Sequence, residues 1–515
     1  MENPYYVVRF YMSLSRWACF LRFGTPISAM ALLGACAAIP KLGPEPAVRT
    51  PQSIEAGHSL AARGAEWPGD GWWRAYGDPQ LNGLIEEGLR ASPDVAVASA
   101  RFRSAKAMAQ QAGAALLPSV DGEASANATK QSYNMGMPKE FVPQGWLGTG
   151  RVALDFGFDL DLWGRNRAQL AAATSEARAA QIDMQQARLA LTTAIADAYA
   201  DLARLFDEAE IAQRTLDIRL ASQKLVADRR ANGLETRGSV RQSDATVASA
   251  RAQLAGARMA IELRQHQIAA LIGAGPDRGM SIAQPQVGTL APLGLPADVT
   301  TDLVSRRPDI AAALARTQAA AKRIKVARAD FFSAIRLSAL VGVQSLGYDT
   351  VFAGNGVRGS SRPFIDNLFE KDSIFGTAGP AISLPIFRGG ALQGQYRGAR
   401  ASYDEAVANY DRTVLNAYQQ VADAVTMRRT LDQRLADARA ALAATQDAYS
   451  VAQHRYQGGL STYLDVLNVE DQLLAARQAV AGLEASAFST DIALIRALGG
   501  GFAADAVFSK DRPDG

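Results

Sequence analysis

Two kinds of hydrophobic periodicity follow each other along the chain and predict two kinds of element. Between 152 and 162, apolar residues occupy every second position, with carboxylates or small residues between them. This alternation predicts a β-strand with one apolar and one wet face. Weaker or similar patterns predict strands at 120–127, 335–343 and 376–386. Strands of roughly 9–11 residues suit a tilted crossing of a lipid bilayer.

Very long helices are the second prediction from the pattern. Residues 165–232 contain neither glycine nor proline, and apolar side chains recur there at steps of three and four. At about 1.5 Å per residue, such a helix is roughly 100 Å long. A second uninterrupted stretch covers 399–457. Each is followed by a Gly-Leu turn and a long returning helix, which is more than a globular domain needs.

The chain after its N-terminal segment is an internal duplication. Ser-Pro-Asp-Val at 92–95 recurs as Arg-Pro-Asp-Ile at 307–310, and both Gly-Leu turns are followed by matching residues. Each copy has the predicted order helix, strand, strand, very long helix, turn, long helix. We therefore predict a first repeat at 72–273, a Gly- and Pro-rich linker at 274–296, a second repeat at 297–501 and a C-terminal tail at 502–515.

The N-terminus predicts export. Three arginines precede a short apolar stretch that ends in Leu-Gly-Ala before Cys36. This arrangement predicts a signal peptide at 1–35, with Met1 or Met12 as the start, and a lipid-anchored segment at 36–71. The small residues before Cys36 resemble a bacterial lipobox, in which the cysteine carries a diacylglycerol and an N-acyl chain. The alternative is a signal peptide that happens to contain a cysteine.

Composition excludes several classes of function. The 54 Lys and Arg residues nearly balance the 51 Asp and Glu residues, so no nucleic-acid partner is predicted. Two cysteines without paired spacing predict neither a disulfide framework nor a zinc site. The three histidines are scattered, and no nucleophile elbow or catalytic carboxylate pair occurs, so a lipid-anchored hydrolase is not favoured. We expect no enzyme activity and no cofactor other than the acyl chains on Cys36.

Four membrane strands per chain pose a problem of closure. Lipid holds no water to satisfy an open sheet edge, so spanning sheets close into barrels, and single-chain barrels begin at about eight strands. The chain must therefore combine its strands with those of other copies. Two copies would give a filled barrel and three would give twelve strands with room for a lumen. Asp155, Asp159 and Asp161 on the inner face favour three.

The chain resembles the TolC-like outer-membrane factor family, and within it the NodT-type lipoproteins of resistance-nodulation-division (RND) efflux systems. The resemblance covers residues 36 to about 501. Its carriers are the lipobox, Trp72-Trp73 with Tyr76, Asp78 and Leu81, Arg307-Pro308-Asp309-Ile310, and Leu384-Pro385-Ile386-Phe387-Arg388-Gly389-Gly390. One departure is Ser333-Ala334, where Pro-Ser is expected at the helix-to-strand junction.

The resemblance implies an α+β fold in which the duplicated long helices form an α-barrel. It implies a homotrimer with a twelve-stranded β-barrel in the outer membrane and a helical tunnel through the periplasm. The implied partners are a periplasmic adaptor, an inner-membrane RND pump and outer-membrane lipid. The predicted function is therefore an outer-membrane channel that passively conducts substrates from the pump to the exterior. A type I protein-secretion duct and a structural periplasmic coiled-coil lipoprotein are the alternatives.

The resemblance also assigns candidate functional residues. It implies that the two Gly-Leu turns are the periplasmic tips where the adaptor docks, namely Gly233, Leu234, Gly459 and Leu460, with Arg455 and Thr462 beside the second turn. The alternative is that both glycines are ordinary helix C-caps. It further implies that three copies of Asp465 form a periplasmic aperture ring, with Asn468 where a second acid can occur. The alternative is an acid placed to interact with the helix dipole.

Position relative to the predicted strands indicates roles for further residues. Aromatic residues at or near the strand ends are predicted to form interfacial girdles: Trp146, Phe156, Phe158, Trp163, Phe331, Phe332, Phe375 and Phe387. The polar stretches at 130–145 and 345–373 are predicted to be surface loops on the extracellular side, because barrels place their longer loops outside the cell.

Overall fold

The computed structural model describes residues 39–50, 53–60, 65–134, 136, 141–286, 295–296, 299–353 and 356–503. The predicted signal peptide, Cys36 and most of the predicted C-terminal tail lie outside the described residues. The chain divides into two compact units. Of the described residues, the first unit, here the sheet unit, contains those within 39–46, 106–175 and 318–405. The second, here the helical unit, contains the described residues within 47–105, 176–317 and 406–503.

The elements follow one another in two similar series. The first series consists of α1 (Pro79–Ala91), α2 (Pro93–Ala114), β1 (Ser119–Thr129), β2 (Leu147–Leu160), α3 (Arg165–Ala231), α4 (Arg237–Leu271) and α5 (Pro276–Met280). The second consists of α6 (Val299–Arg306), α7 (Pro308–Ala329), β3 (Ala334–Leu346), β4 (Tyr348–Ala353), β5 (Gly356–Ser361), α8 (Phe364–Leu368), β6 (Ile374–Ser383), α9 (Ala391–Gln457) and α10 (Tyr463–Ala497). Short 3₁₀ helices cover Trp72–Tyr76 and Lys371–Ser373.

The sheet unit is built on a four-stranded antiparallel sheet with the order β1-β2-β3-β6. Strands β4 and β5 form a separate antiparallel pair. Within the one chain, β1 and β6 are therefore the two edge strands of the larger sheet. All four of its strands were predicted from the sequence, with boundaries that differ by several residues.

The register gathers the apolar side chains on one face of this sheet. Val120 lies opposite Phe156, and Leu154 lies opposite Val341. Because directly paired residues share a face, the following residues all belong to the same face: Val120, Val152, Leu154, Phe156, Phe158, Leu160, Ile335, Leu337, Val341, Val343, Ile374 and Ile382. The remaining positions on that face are Gly, Ala, Pro and Ser345. The predicted alternation of β2 is confirmed and extends over the whole sheet.

The opposite face carries the charged side chains of the sheet. Asp121 pairs with Asp155, and Asp159 pairs with Arg336, whose guanidinium Nε lies 3.9 Å from the carboxylate. The Arg151 guanidinium lies 5.1 Å from the centre of the Phe375 ring on the same face. This face is the wet face that the sequence predicted.

The end of β2 corrects the prediction that the strand runs to 162. Asp161 lies beyond the strand, where its carboxylate accepts hydrogen bonds from the backbone N–H groups of Asn166 (3.0 Å) and Arg167 (2.9 Å). These N–H groups belong to the first turn of α3, which has no intrahelical acceptors for them. Asp161 therefore stabilises the start of the helix and does not belong to the inner face. Strand β6 also ends earlier than predicted, at Ser383 and not at 386. Pro385, which lacks a backbone donor, follows two residues later.

Two further sequence predictions were wrong. Helix α9 begins at Ala391, directly after Gly389 and Gly390 in left-handed conformation, and not at 399. Gly394 and Gly398 lie inside it, although glycine destabilises a helix interior by about 1 kcal/mol relative to alanine. The stretch 345–373 contains β4, β5 and α8 and is not a simple loop. Strand β5, Gly-Val-Arg-Gly-Ser-Ser, has no alternation of apolar and polar residues that could have revealed it.

The junction where Ser333-Ala334 departs from the family pattern keeps the same turn as the first copy. Phe331 and Phe332 donate backbone hydrogen bonds to Arg328 and Ala329, and Leu116 and Leu117 form the matching pair of bonds before β1. Phe331 is buried and contacts Tyr396 edge-on, so it belongs to the core and not to an interfacial girdle. Trp163 and Phe332 stack with their centroids 4.7 Å apart.

The helical unit has two large apolar clusters that reflect the duplication. In the first, α1 packs on α3 and α4 through buried residues that include Leu81, Ile195, Tyr199 and Ile268. Asp78 caps α1 and accepts a 2.6 Å hydrogen bond from the Tyr199 hydroxyl. In the second cluster, α6 takes the place of α1 and packs against α9 and the end of α10. Helices α1 and α6, which precede the Pro-Asp helix of each copy, were not predicted.

In the described part of the chain, no helix is long and apolar enough to cross a membrane.

Candidate functional site at the helical hairpin tips

Both Gly-Leu turns have the same backbone geometry. Gly233 and Gly459 adopt φ values of 76° and 75°, in the left-handed region that favours glycine. Leu234 N–H donates to the Arg229 carbonyl, and Leu460 N–H donates to the Arg455 carbonyl, each at 2.8 Å. These bonds are those of a Schellman C-cap, which satisfies carbonyls at the end of a helix. The glycines are therefore explained by helix termination, and adaptor docking remains a prediction for them.

The leucine of each turn points outward. The Leu234 side chain is 65 % exposed, and the Leu460 side chain is 73 % exposed. Neither is needed for the cap, whose hydrogen bonds come from the backbone. Helix termination therefore explains the glycine of each turn but does not explain why an exposed leucine follows it.

Asp465 is held in a capping box at the start of α10. Its carboxylate accepts hydrogen bonds from the backbone N–H and the hydroxyl of Thr462, both at 2.8 Å, and its own N–H donates to the Thr462 hydroxyl. These bonds from Thr462, together with the nearby Arg455 guanidinium, hold the pKa of Asp465 below its ordinary value. The carboxylate is exposed and remains ionised, so the geometry gives Asp465 a capping role. The aperture ring remains a prediction.

The two tips are bound to each other by residues that the sequence did not single out. Arg229, at the end of α3, donates to the carbonyls of Tyr456 (3.2 Å) and Gln457 (3.3 Å) at the end of α9. Its guanidinium also lies 4.8 Å from the centre of the Tyr456 ring. The Tyr456 hydroxyl in turn donates to Glu235 in the first turn. In the sequence, Arg229 is distinguished only by its match to Arg455 in the second copy.

Behind the turns lies a small apolar core. It consists of Val226, Tyr456, Tyr463, Val466 and Leu467, all of which are buried. Val226 comes from the first copy and the other four come from the second. Because both copies contribute, the tips of the two hairpins form one packed body.

Further along the same helices is a buried ion cluster. Arg219 of α3 donates to Glu470 at 3.0 Å and to Asp471 at 2.9 Å, both on α10, and to the Thr246 carbonyl at 3.3 Å on α4. Arg219 and Glu470 are almost completely buried. Burial raises the pKa of Glu470, and the bonds from Arg219 oppose that shift. The cluster joins three helices, and its members carry no motif that would reveal it in the sequence.

In this region Arg219 is paired with Glu470 and Asp471, Arg229 binds carbonyl groups and Asp465 binds Thr462, so these charges do not converge on a vacant point. Across the described ranges, no group of three or more His, Cys, Asp or Glu side chains is arranged to hold a metal ion. The geometry is that of a packed helical tip with exposed apolar and acidic residues.

Comparison with known proteins identifies the family. Residues 84–274 and 299–500, one segment in each repeat, match the family described as outer membrane efflux protein. The chain belongs to this family. The predicted resemblance to TolC-like outer-membrane factors is confirmed, and the chain is the outer-membrane component of an efflux system. Members of the family are efflux channels and not enzymes.

Individual relatives agree with this assignment. The fusaric acid resistance protein FusA of Burkholderia cepacia is 34 % identical over 379 residues, which are 73 % of this chain and 68 % of the relative. The multidrug resistance outer membrane protein MdtP of Escherichia coli K12 is 28 % identical and covers 94 % of this chain and 97 % of its own length. Among solved structures, the outer membrane protein VceC of Vibrio cholerae is 42 % identical, with a TM-score of 0.75 over 85 % of this chain and 100 % of its own.

The buried ion cluster generates a prediction about stability. Arg219→Met leaves the Glu470 carboxylate buried without its partner, so we expect the free energy of unfolding to fall by about 3–5 kcal/mol. The double variant with Glu470→Leu removes the isolated charge and recovers most of this loss. Unfolding in detergent, followed by the helical circular dichroism signal, measures both.

Arg214→Met is the matched control on the same helix. Arg214 pairs with Glu210 on the surface, and exposed pairs contribute about 0–1 kcal/mol. If Arg219→Met destabilises the protein no more than this control does, the buried cluster does not hold the three helices together.

Proposed function

We propose that three copies of this chain form a duct that passively conducts small organic molecules across the outer membrane. The duct receives them from a periplasmic adaptor and an inner-membrane RND pump. The observation that carries the proposal is the four-stranded sheet, which has one apolar face, one charged face and two edge strands. The relatives named for fusaric acid and multidrug resistance support small-molecule efflux over protein secretion.

The edges of the sheet support an assembly of several copies. Strands β1 and β6 each have one side without a partner strand in the larger sheet of the described chain. In lipid, unsatisfied backbone groups cost several kcal/mol each, so β6 of one copy would pair with β1 of the next. Two copies would close an eight-stranded barrel filled by side chains, and three would close twelve strands around a lumen.

The chemistry of the two faces favours three copies. With the apolar face toward lipid, the inner face carries six charged residues per chain: Asp121, Glu123, Arg151, Asp155, Asp159 and Arg336. Burying so many charges in a filled eight-stranded barrel would require a partner for each of them. A water-filled lumen solvates them instead, and this is the arrangement that a conducting duct needs.

The N-terminal segment supports the proposed lipid anchor on Cys36. Arg400 of α9 donates to the carbonyls of Gly43 (3.1 Å) and Pro44, and the Tyr403 hydroxyl donates to the Pro46 carbonyl at 3.1 Å. The segment therefore runs beside α9 in the same direction, and toward its N-terminus it approaches the start of α9, which follows β6. Cys36 lies seven residues before Gly43, a reach of at most about 25 Å. An acyl chain there would enter the membrane that the sheet crosses.

Mass measurement tests the assembly and the anchor together. For protein purified from detergent-solubilised outer membranes, native mass spectrometry should give three chains per particle, each beginning at Cys36 and carrying acyl chains on it. Cys36→Ser should lose the acyl mass and still form trimers, because strand pairing does not require the lipid. A monomeric or dimeric wild-type particle would contradict the proposed duct.

We assign adaptor docking to the exposed leucines of the two tips. The side chains of Leu234 and Leu460 are apolar and exposed. The turns do not require these side chains, because backbone hydrogen bonds form the turns. Apolar side chains exposed on a well-packed body are typical of protein contact sites. Gly233 and Gly459 shape the turns, and Arg455 and Thr462 flank the second one.

Photo-crosslinking measures this contact in the assembled system. With benzoylphenylalanine at position 234 or 460 in cells of the native host, we expect an adduct with the periplasmic adaptor, identified by mass spectrometry. Met259 of α4 is the matched control, because its apolar side chain is also exposed, at 59 %, but lies outside the turns. Equal adduct formation at 259, or none at the tips of an assembled pump, would count against docking there.

We also propose that Asp465 lines the periplasmic aperture. In a trimer, three ionised carboxylates around one axis make a constriction that favours cations. The capping box supports this role, because it fixes the carboxylate at the tip and keeps its pKa low. A lowered pKa means that the charge is present above that pKa and is lost only when the pH falls through it.

Conductance in planar bilayers separates the charge of Asp465 from its capping role. Asp465→Asn retains an oxygen that can accept from Thr462 but removes the charge, so the preference for K⁺ over Cl⁻ should fall several-fold. Asp447→Asn, an exposed acid on α9, is the matched control and should leave the selectivity unchanged. The wild-type preference should persist on mild acidification because the pKa is lowered. An unchanged reversal potential in Asp465→Asn would exclude the ring.

A further inference from the structure

A short helix lies on the apolar face of the membrane sheet. Phe364, the first residue of α8, accepts a 2.6 Å hydrogen bond at its carbonyl from the Ser345 hydroxyl, and Ser345 belongs to the apolar face. The Phe364 ring packs over Gly150 of β2, where an added Cβ would come within 2.2 Å of the ring. A Cβ at Gly148 would come within 3.0 Å of it. The two glycines thus make room for the helix on this face.

Helix α8 extends the apolar surface of the sheet over the start of β2, where the strand has only glycines on this face. From Val152 to Leu160, every residue of β2 on the apolar face is large and apolar, whereas the positions nearer its start are Gly148 and Gly150. Phe364 fills this gap, and Leu368, one helical turn later, is buried. The exposed apolar surface beside them is therefore contributed by α8 and not by the strand.

The exposed side of α8 is amphipathic. Ile365 and Phe369, four residues apart and so on one side, are 54 % and 72 % exposed. Asp366 in the first turn of α8 is exposed, and so is Glu370, which follows the end of the helix. Two large apolar side chains next to two acids form the pattern of a helix that lies at a boundary between apolar and aqueous surroundings.

The position of α8 identifies what covers Ile365 and Phe369. The helix packs mainly on β2 and β3, the two central strands, rather than on the edge strands β1 and β6 where other copies would pair. In the proposed barrel, a neighbouring copy therefore meets the sheet elsewhere. The exposed side of α8 is continuous with the apolar face of the sheet, so the same medium covers both.

We propose that residues 364–369 form an interfacial collar that inserts Ile365 and Phe369 into lipid at the boundary between headgroups and acyl chains. This inference rests on the proposed function, because it requires the apolar face of the sheet to contact the membrane. The collar extends the lipid-contacting band over the glycine end of β2. It also sets the depth of the barrel in the bilayer, since Asp366 and Glu370 remain in water.

Site-directed spin labelling in liposomes tests the collar. Once Cys36 is acylated and the signal peptide is removed, the mature protein offers no competing thiol. Single variants Ile365→Cys and Phe369→Cys are labelled with a nitroxide and reconstituted into phosphatidylethanolamine–phosphatidylglycerol liposomes. Collisions with oxygen, which concentrates in lipid, are compared with collisions with a water-soluble nickel chelate. Three matched sites are measured alongside: Val341→Cys on the apolar face, Glu370→Cys directly after the collar, and Leu234→Cys, an exposed leucine at a tip.

We expect the oxygen-to-nickel ratio at 365 and 369 to be several-fold higher than at 370 and 234, and to approach the ratio at 341. If Val341 is in lipid but either 365 or 369 behaves like Leu234, the collar is wrong and the proposed duct stands. If Val341 itself is accessible to the nickel chelate, the apolar face does not contact lipid and the proposed function fails with the collar. Because all substituted side chains are exposed, the label does not disturb packing.

Discussion

Backbone hydrogen bonding at the edges of the four-stranded sheet is the constraint on which the other features of the sheet unit depend. A sheet with one apolar and one charged face is stable only where its two sides meet different solvents, and its edge strands need partners wherever no water reaches them. Strands β1 and β6 are such edges within this chain. The apolar face, the six charges on the opposite face and the predicted acylation signal before the first helix are all consistent with a sheet completed by further copies in a membrane.

In the helical unit, packing between helices holds the very long helices in one arrangement. Two related apolar clusters, one from each repeat, pack a short helix against a long one, so duplication supplies the basic packing. The contacts between the repeats are not duplicated. Arg219 joins Glu470, but the corresponding positions in the other copy hold Thr445 and Asp244. Arg229 corresponds to Arg455, but its partner Tyr456 corresponds to Arg230, so this contact is not repeated either. These unique contacts break the symmetry between the two hairpins and give each tip its own chemistry.

Local structural roles and proposed functional roles coincide at the tips. Gly233 and Gly459 end their helices, and Asp465 begins the next one, so each residue type is already explained by capping. The capping geometry also fixes what each turn presents to its surroundings: an exposed leucine at both turns and an ionised carboxylate at the second. A residue that caps a helix can therefore also serve in recognition or conduction, because the cap immobilises it.

The sequence by itself determined the four strands of the larger sheet, the two long helices, the duplication and the positions of the tip turns. The strands, the long helices and the turns follow from local patterns, namely alternation over two residues, helical spacing and glycine after a helix. Such patterns act over a few neighbouring residues. The duplication is visible because the same residues recur in the same order. The tertiary structure alone decided the Arg219–Glu470 cluster, the contacts of Arg229 with Tyr456, and the placement of α8 over Gly148 and Gly150. In each of these the partners are far apart in the chain, and neither partner has a distinctive local pattern. Their chemistry arises only when folding brings them together.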